Sequence, residues 1–385
     1  MIALRHAVLA LSFMLAFTDA ALAEVILHRG NGKEPDSLDP HRAAGTWENT
    51  IIADMFLGLT TEAADGDIVP GAAESWTVSD DGLVYTFMLR DNLLWSDGVQ
   101  VTASDFVFGM RRIMTPATAA RYASLLFPIK NARAINTGQM NPGLIGVAAL
   151  DPKTVEITLE SPVPFFPQLL SHYTTFPIPQ HAYALHGEDW VKAGNMVSNG
   201  AYVLEEWVTN AHVKVTKNHR FYDAENVAID TVFYYPIGDS RTGLKMFETG
   251  ELDMNLGPEG FPSAQLDEVR QKFSGEGRVV PSLGNRFLPM NTSRPPFDDK
   301  RVRKAVSLLV DREIINDRIV SVGARSAYAF VPPETANHQP GAQVDFVDMP
   351  MPERIAEAKS LLAEAGYSED NPLRFELSYR GSYDN

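Results

Sequence analysis

The feature that most constrains the fold is an irregular alternation of short strand-like runs with amphipathic helical segments. The strand-like runs, with alternating or continuous apolar residues, are 24–28, 74–78, 84–90, 155–159, 200–207, 213–216, 230–235, 251–254 and 373–379. The helical segments, with apolar residues at helical spacing, are 47–59, 102–113, 240–248, 298–320 and 350–365. Because the two kinds follow no strict βα repeat, the pattern predicts an α/β fold with segregated strands and helices.

Composition narrows the classes of function. The chain has 385 residues, so two or three domains are expected, each with its own core. It contains no cysteine, which excludes disulfides, thiolate nucleophiles and cysteine-ligated metal centres. The net charge of −16 argues against nucleic acid or an anionic membrane surface as the main partner, because both require a basic face.

The N-terminus has the pattern of a secretory signal peptide. Arg5 supplies the positive charge, Ala7–Phe17 is an apolar run, and Ala21-Leu22-Ala23 places small residues before Glu24. The apolar run is too short to span the hydrocarbon core of a membrane comfortably. The pattern predicts cleavage after Ala23 and export of a soluble chain, which no lipid-modified cysteine can anchor.

Local signals locate several turns and helix starts. Asp80-Asp81-Gly82 predicts a hairpin turn, and Asp39-Pro40 predicts a turn or a helix start. Thr102 and Asp105 have the spacing of a capping box at the start of a helix.

No catalytic motif is visible in the sequence. The chain contains no nucleophile elbow, no H-E-x-x-H zinc helix and no phosphate-binding loop. His181 and His186 are a weak candidate for a metal site, and the acidic pairs Asp80-Asp81 and Asp298-Asp299 are better explained as turn caps. The prediction is a protein with no catalytic residues, no metal and no cofactor.

Several stretches together resemble the family 5 extracellular solute-binding proteins of ABC importers, and most of all the oligopeptide-binding proteins of that family. The stretches are Glu34–His41, Ala72–Gly82, Tyr85–Arg90, Trp95–Gly98, Val101-Thr102, Asp105-Phe106, Arg121–Ser124, Asn199–Tyr202, Gly250–Asp253, Pro296–Ala305 and Asp311-Arg312. The resemblance extends over essentially the whole mature chain, and the block from Ala72 to Phe106 is the most specific part.

The resemblance implies a two-lobed periplasmic binding protein fold of the large peptide-binding type. The first lobe would comprise residues 24–60 and 181–283, with a small α+β domain inserted at 61–180, after the signal peptide at 1–23. The second lobe would comprise residues 284–385. Relatives continue beyond the point that matches Asn385, so the second lobe is expected to be truncated and to lack the aspartate that pairs with the peptide ammonium.

The resemblance also suggests ligand-binding residues in the first lobe and the inserted domain. Ala44, Gly45 and Thr46 align with the segment whose backbone pairs with the peptide, and Gly45 would allow close approach because it has no Cβ. The alternative is a plain loop before the helix. Tyr122 aligns with a tyrosine that faces the ligand, or is a half-buried aromatic residue.

Two further candidates follow the predicted lobe boundary. Arg286 and Phe287 lie where relatives are rich in tyrosine and carry an acid, and Arg286 has the geometry to pair with a peptide carboxylate. This departure from the family pattern leaves the peptide specificity open. Asn199-Gly200 is interpreted instead as a structural turn before a strand.

The resemblance implies a non-enzymatic periplasmic subunit that binds oligopeptides as a monomer and delivers them to the permease subunits of an ABC importer. Two alternatives stay open. The same scaffold binds nickel, haem, an opine or a sugar in other proteins, and an exported hydrolase is a second possibility, which the missing motifs argue against.

Overall fold

A computed structural model describes residues 24–255, 262, 265–276, 283–320, 324–335, 337–339 and 341–378. The predicted signal peptide therefore lies outside the described residues. Contacts between residues divide the chain into two compact units. The first unit contains the chain up to Pro236 and Glu251–Met254, and the second contains Ile237–Gly250 and the chain from Asn255 onward.

The first unit contains a five-stranded sheet with one buried face. Its strands and those of the smaller sheets, in chain order, are β1 (Ile26–Gly30), β2 (Thr60–Glu62), β3 (Ile68–Pro70), β4 (Ala73–Val78), β5 (Val84–Leu89), β6 (Val147–Asp151), β7 (Thr154–Thr158), β8 (Tyr202–Val208), β9 (His212–Lys217), β10 (Thr231–Tyr235) and β11 (Met254–Asn255). The order in the large sheet is β11-β1-β10-β9-β8, with β1 parallel to β10. Val213, Val215, Val232 and Tyr234 alternate along β9 and β10 and are buried, as expected for a sheet with one face on the core.

The second sheet of this unit is contained within one stretch of sequence. Strands β4, β5, β7 and β6 form an antiparallel sheet in that order, between residues 73 and 158, and β2 pairs with β3 in a separate ribbon. Tyr85, Phe87 and Leu89 turn toward the core from β5. The predicted hairpin at residues 80–82 is confirmed, since the Gly82 N–H donates to the Ser79 carbonyl oxygen at 2.8 Å and Gly82 has a φ of 71°.

Five helices of the first unit cover these sheets among the described residues. They are α1 (Thr46–Met55), α2 (Ala103–Met114), α3 (Ala132–Asn136), α4 (Phe166–Leu169) and α5 (Gln180–His186). The start of α2 is as predicted, because the Thr102 N–H donates to the Asp105 carboxylate at 2.8 Å. One continuous core joins α1 to the rest, and within it the Phe56 ring packs edge-on against Trp95 and Trp190 at centroid distances of 6.5 and 6.2 Å.

Helix α1 ends earlier than its apolar pattern predicts. The pattern runs to Leu59, whereas the helix ends at Met55 and Phe56 is already extended. A tertiary contact sets this end, because Asn199 exchanges two hydrogen bonds of 3.0 Å with the backbone of Leu57, and the Gly200 N–H donates to the Met55 carbonyl oxygen at 2.8 Å. A Cβ on Gly200 would lie 2.5–2.7 Å from backbone atoms of Met55 and Phe56. The structural interpretation of Asn199-Gly200 is confirmed.

The regular secondary structure of the second unit is mainly helical over the residues described. Its helices are α6 (Ser240–Glu248), α7 (Leu266–Lys272), α8 (Lys300–Leu309), α9 (Arg312–Ile314) and α10 (Met351–Glu364), and a π-helical segment, Ile315–Val320, continues from α9. Helices α8 and α10 pack on each other around a small core of Ala305, Leu308, Phe346 and Ala358.

Of two predictions for the second unit, the long helical region is confirmed in part and the last strand is wrong. The helical region 298–320 is interrupted at Val310, because Arg312 donates to the carbonyl oxygens of Ser307 and Val310 and Asp311 caps a new turn. The strand predicted at 373–379 is absent from residues 373–378, because no described segment pairs with them; Tyr379 lies outside the described residues.

The predicted lobe boundaries differ from the division by contacts. Residues 237–250 and 255 onward belong to the second unit, whereas the resemblance assigns residues up to 283 to the first lobe. Residues 61–180 share the continuous core of the first unit instead of forming a core of their own. The lobe assignment stays a prediction.

Candidate functional site

The candidate ligand segment Ala44–Thr46 is held in place by Glu48, which lies in the first turn of α1. Glu48 is only 2% exposed. Its carboxylate accepts hydrogen bonds from the backbone N–H groups of Asp36 (2.9 Å), Ala44 (3.0 Å) and Gly45. A carboxylate at this position is also stabilised by the positive end of the helix dipole. The chain before α1 is therefore fixed by one buried side chain.

Tyr122 and the segment Ala44–Thr46 lie together, although 78 residues separate Tyr122 from Ala44 in sequence. The Tyr122 hydroxyl donates to the Ala44 carbonyl oxygen at 3.3 Å, and the Tyr122 side chain is 36% exposed. Its ring packs beside His172, at a centroid distance of 5.3 Å, and edge-on to Tyr173, at 6.2 Å. The first group of predicted site residues thus forms one surface with an accessible aromatic ring.

Two residues of this surface were not predicted from the sequence. His172 and Tyr173 stack on each other at a centroid distance of 4.3 Å, and the Tyr173 hydroxyl donates to the Ala43 carbonyl oxygen at 3.1 Å. Burial lowers the pKa of His172 and raises the pKa of Tyr173, so both rings are uncharged at neutral pH. The signal that could have indicated them is the His172-Tyr173 pair itself, two consecutive aromatic rings in a turn.

Most backbone groups of the segment already have partners within the chain. The N–H groups of Ala44 and Gly45 donate to Glu48, and the Gly45 carbonyl oxygen accepts from the Asn49 N–H at 3.1 Å. A carbonyl oxygen has a second lone pair. A peptide that pairs with this segment like a strand can therefore bond to the second lone pairs of the carbonyl oxygens and to the first-turn N–H groups of α1.

Gly45 has no Cβ, and the space a Cβ would occupy is filled by the side chain of Trp47. A Cβ built on Gly45 would lie 2.4–2.8 Å from three atoms of the Trp47 indole. From the sequence, the open space at Gly45 is expected to admit an approaching ligand backbone. In the structure, a neighbouring side chain of the same chain uses it.

Arg286 and Phe287 lie in the second unit, and Ala44–Thr46 lie in the first. Both are exposed, Phe287 to 59%. The Phe287 ring contacts the Phe330 ring at a centroid distance of 5.3 Å, and the Asn285 side-chain amide donates to the Phe330 carbonyl oxygen at 2.7 Å. The pair forms an exposed aromatic surface of its own.

Asp39, in the motif Glu34–His41, forms a buried ion pair with Arg112 of α2, which was not predicted from the sequence. Asp39 and Arg112 are 2% and 7% exposed and form a bidentate pair with distances of 2.9 and 2.6 Å. The same guanidinium lies 3.0 Å from Nδ1 of His41, which must accept because a guanidinium only donates. The predicted turn at Asp39-Pro40 is confirmed, and its function is to bring Asp39 and His41 to Arg112 of α2.

Burial and the charges of this cluster shift the pKa values of His41 and Asp39. Burial lowers the pKa of His41 to about 3; Asp39 opposes that shift, and the charge of Arg112 reinforces it. Burial alone would raise the pKa of Asp39, but the hydrogen bonds and the charge of Arg112 outweigh it, so the pKa lies below its usual value. At neutral pH the cluster therefore contains a carboxylate, a guanidinium and a neutral imidazole.

We expect the stability of the protein to fall with acidification through His41. The folded-state pKa of His41 is about 3 and the unfolded value about 6.5, so unfolding takes up a proton between these pH values and stability rises with pH there. Between pH 5.5 and 6.5 the free energy of unfolding should rise by about 1 kcal/mol from this residue. Urea unfolding at both pH values, on wild type and His41→Gln, measures it.

The control is His219→Gln, which removes an exposed histidine from the same unit. We expect this variant to keep the wild-type difference between pH 5.5 and 6.5. An equal difference in wild type and His41→Gln would contradict the argument.

No group of three or more metal-ligating side chains is found among the residues that the structure describes. His181 does not pair with His186; its Nε2 lies 2.8 Å from the Asp97 carboxylate. Within the same described ranges, no helix combines the length and the apolar character needed to cross a membrane.

The family profile and two similar curated proteins agree with each other. The profile "bacterial extracellular solute-binding proteins, family 5 Middle" matches residues 67–385. The chain is 39% identical to the probable deoxycholate-binding periplasmic protein YgiS of Escherichia coli and 38% identical to the periplasmic oligopeptide-binding protein OppA of Salmonella typhimurium. Each alignment covers 92% of this chain, and the chain spans 65% of the length of each of these relatives.

Solved structures agree with the sequence relatives. OppA of Burkholderia pseudomallei has a TM-score of 0.85 at 34% identity, with 91% of this chain and 69% of that chain covered. OppA of Haemophilus influenzae in complex with the peptide RPPGFSPFR has a TM-score of 0.84 at 35% identity, with 91% and 68% covered. The predicted α/β fold of the periplasmic peptide-binding class is therefore confirmed. The chain belongs to family 5 of the bacterial extracellular solute-binding proteins.

Proposed function

We propose that this chain is the solute-binding subunit of an ABC importer and that its ligand is an oligopeptide. The observation that carries the proposal is the surface formed by Tyr122 and Ala44–Thr46, where an accessible aromatic ring lies 3.3 Å from a backbone carbonyl oxygen at the start of α1. Relatives at 38% identity are periplasmic oligopeptide-binding proteins, which supports the choice of ligand.

The surface suits a ligand that is recognised through its backbone. The carbonyl oxygen of Ala44 is fixed by the Tyr122 hydroxyl, so its second lone pair points in a defined direction without further loss of entropy. Main-chain hydrogen bonds are independent of sequence, which allows peptides with different side chains to bind. The accessible Tyr122 ring would then pack against a ligand side chain or peptide plane.

Arg286 and Phe287 are proposed as ligand residues of the second unit. An exposed guanidinium pairs with a carboxylate in bidentate geometry, which a peptide supplies at its C-terminus or through an acidic side chain. The exposed Phe287–Phe330 aromatic pair offers apolar surface beside it.

The other parts of the proposal concern the cell biology and the chemistry. We propose that the signal peptide is cleaved after Ala23, that the mature chain acts in the periplasm as a monomer, and that it delivers ligand to permease subunits without catalysing a reaction. The proposal rests on the family, whose named relatives are binding proteins, and on the motif Ala21-Leu22-Ala23.

A second candidate ligand is a bile acid. The relative with 39% identity is named as a probable deoxycholate-binding protein, and deoxycholate combines a large apolar ring system with one carboxylate. The exposed aromatic surface at Tyr122 suits the apolar rings of that molecule as well. The two ligands are separated by experiment.

Tyr122→Ala is expected to weaken peptide binding about tenfold or more, because it removes the accessible ring and the hydroxyl bonded to Ala44. Tyr122→Phe is the matched variant and should lose much less, since it keeps the ring. Thermal shift with a panel of tri- to nonapeptides, with deoxycholate, Ni²⁺ and sugars as alternatives, identifies the ligand, and titration calorimetry gives the affinities. Stabilisation by deoxycholate alone, or by none of the probes, would contradict the peptide proposal.

A further inference from the structure

The Trp47 indole covers the side of Gly45 to which a Cβ would be attached. We call this side the Gly45 face. Three indole atoms, Cε2, Cζ2 and Cδ2, lie 2.4–2.8 Å from the position of a Cβ on Gly45. This is closer than real Cβ atoms approach other heavy atoms, so nothing larger than glycine fits beneath the indole in this conformation. The ring therefore covers that face of the ligand segment.

The covering conformation leaves one hydrogen-bonding group without a partner. The indole Nε1–H of Trp47 is buried, and no described residue accepts a hydrogen bond from it. A buried donor without an acceptor is destabilising compared with the same group in water. The indole consequently gains a hydrogen bond when it turns away from Gly45 toward solvent.

Only the Trp47 side chain is free to make this movement. The Trp47 carbonyl oxygen accepts a hydrogen bond of 2.9 Å from the Asn31 side chain, and the backbone of Gly45 is bonded to Glu48 and Asn49. The Lys33 ammonium lies 5.3 Å from the indole centroid, a cation–π contact of modest strength that favours the covering position. Rotation of the side chain exchanges this contact for solvation of the Nε1–H.

We propose that the Trp47 indole occludes the Gly45 face in the ligand-free protein and that it determines which ligands reach Ala44–Thr46. This inference rests on the proposed peptide-binding function. A peptide backbone approaches Gly45 only after the indole has rotated. Only the molecules with the indole rotated away bind the peptide, and the apparent affinity falls in proportion to that fraction. Trp47 is therefore a specificity-determining residue that selects for ligands able to displace it.

The first test needs no ligand. Gly45→Ala places a methyl group where the indole lies and should drive it into solvent, whereas wild type keeps it shielded. The fluorescence of Trp47 is obtained by subtracting the spectrum of a matching Trp47→Phe variant. We expect a red shift and stronger acrylamide quenching of this difference signal in Gly45→Ala. An unchanged difference signal would overturn the proposed position of the indole.

The second test measures binding of a tri- to nonapeptide mixture, followed by single peptides. Trp47→Ala should bind about tenfold more tightly than wild type with a faster association rate, because the occluding ring is absent. Trp47→Phe should lie between them. Trp76→Ala is the control and should leave the affinity unchanged, because this half-buried indole packs on Phe87 in the β4–β5 sheet.

The outcomes separate the two proposals. Weaker binding by Trp47→Ala would mean that the indole is a ligand contact, and unchanged binding would mean that it is irrelevant to access; each overturns the inference alone. Absence of peptide binding in wild type and in all variants would overturn the proposed function, and the inference about access with it.

Discussion

Replacing Arg112 by methionine is expected to lower the free energy of unfolding by about 3–5 kcal/mol, as measured by urea denaturation at pH 7. The guanidinium holds the Asp39 carboxylate by two hydrogen bonds of 2.9 and 2.6 Å where Asp39 is only 2% exposed. Methionine fills much of the same volume but leaves that charge buried and without its counter-ion. The cost is therefore mainly that of the unpaired carboxylate.

The control is the preceding residue of the same helix. Arg111 is exposed, so Arg111→Met should change the stability by no more than about 0.5 kcal/mol. The double variant Asp39→Asn/Arg112→Met should be less destabilised than the sum of its single variants, because it removes both charges. A loss in Arg112→Met as small as that in Arg111→Met would show that the buried pair contributes little.

Asn199→Ala is expected to destabilise the protein by about 2–6 kcal/mol, because it removes the partners of both backbone polar groups of Leu57 at once. The Asn199 side chain accepts from the Leu57 N–H and donates to the Leu57 carbonyl oxygen, each at 3.0 Å, and Leu57 is 8% exposed. Each buried backbone group left without a partner costs about 1–3 kcal/mol. Thermal and urea unfolding measure the loss.

A matched alanine variant tests whether the location of the asparagine matters. Asn226 is exposed, and its side-chain amide donates to the Asp223 carboxylate at 2.6 Å. Asn226→Ala should therefore remain within about 0.5 kcal/mol of wild type. Similar losses in Asn199→Ala and Asn226→Ala would contradict the argument that Asn199 fixes the end of α1.

The parts of the fold that depend on neighbouring residues could be predicted from the sequence. The start of α2 at Thr102, the hairpin at residues 80–82 and the strands at 84–89 and 231–235 follow from spacing and turn chemistry within a few residues. The family also followed from motifs that keep their order along the chain, and the profile match confirms it.

The parts set by distant contacts could not be predicted in this way. The pairing of Asp39 with Arg112 joins residues 73 positions apart, and nothing in the spacing indicates a buried cation. The apolar stripe of α1 continues to Leu59, but Asn199 ends the helix at Met55. In the candidate site, the resemblance predicted Ala44–Thr46 and Tyr122, whereas the position of the Trp47 indole depends on a rotamer.

The shared core of the first unit limits how this chain recombines with its relatives. Phe56 lies before the stretch 61–180, but its ring contacts Trp95 inside it and Trp190 beyond it. A crossover near residue 60 would separate three aromatic side chains whose shapes have to fit together. Exchange of the stretch 61–180 as an independent cassette is therefore disfavoured, because the incoming stretch would have to match Phe56 and Trp190 on either side of it.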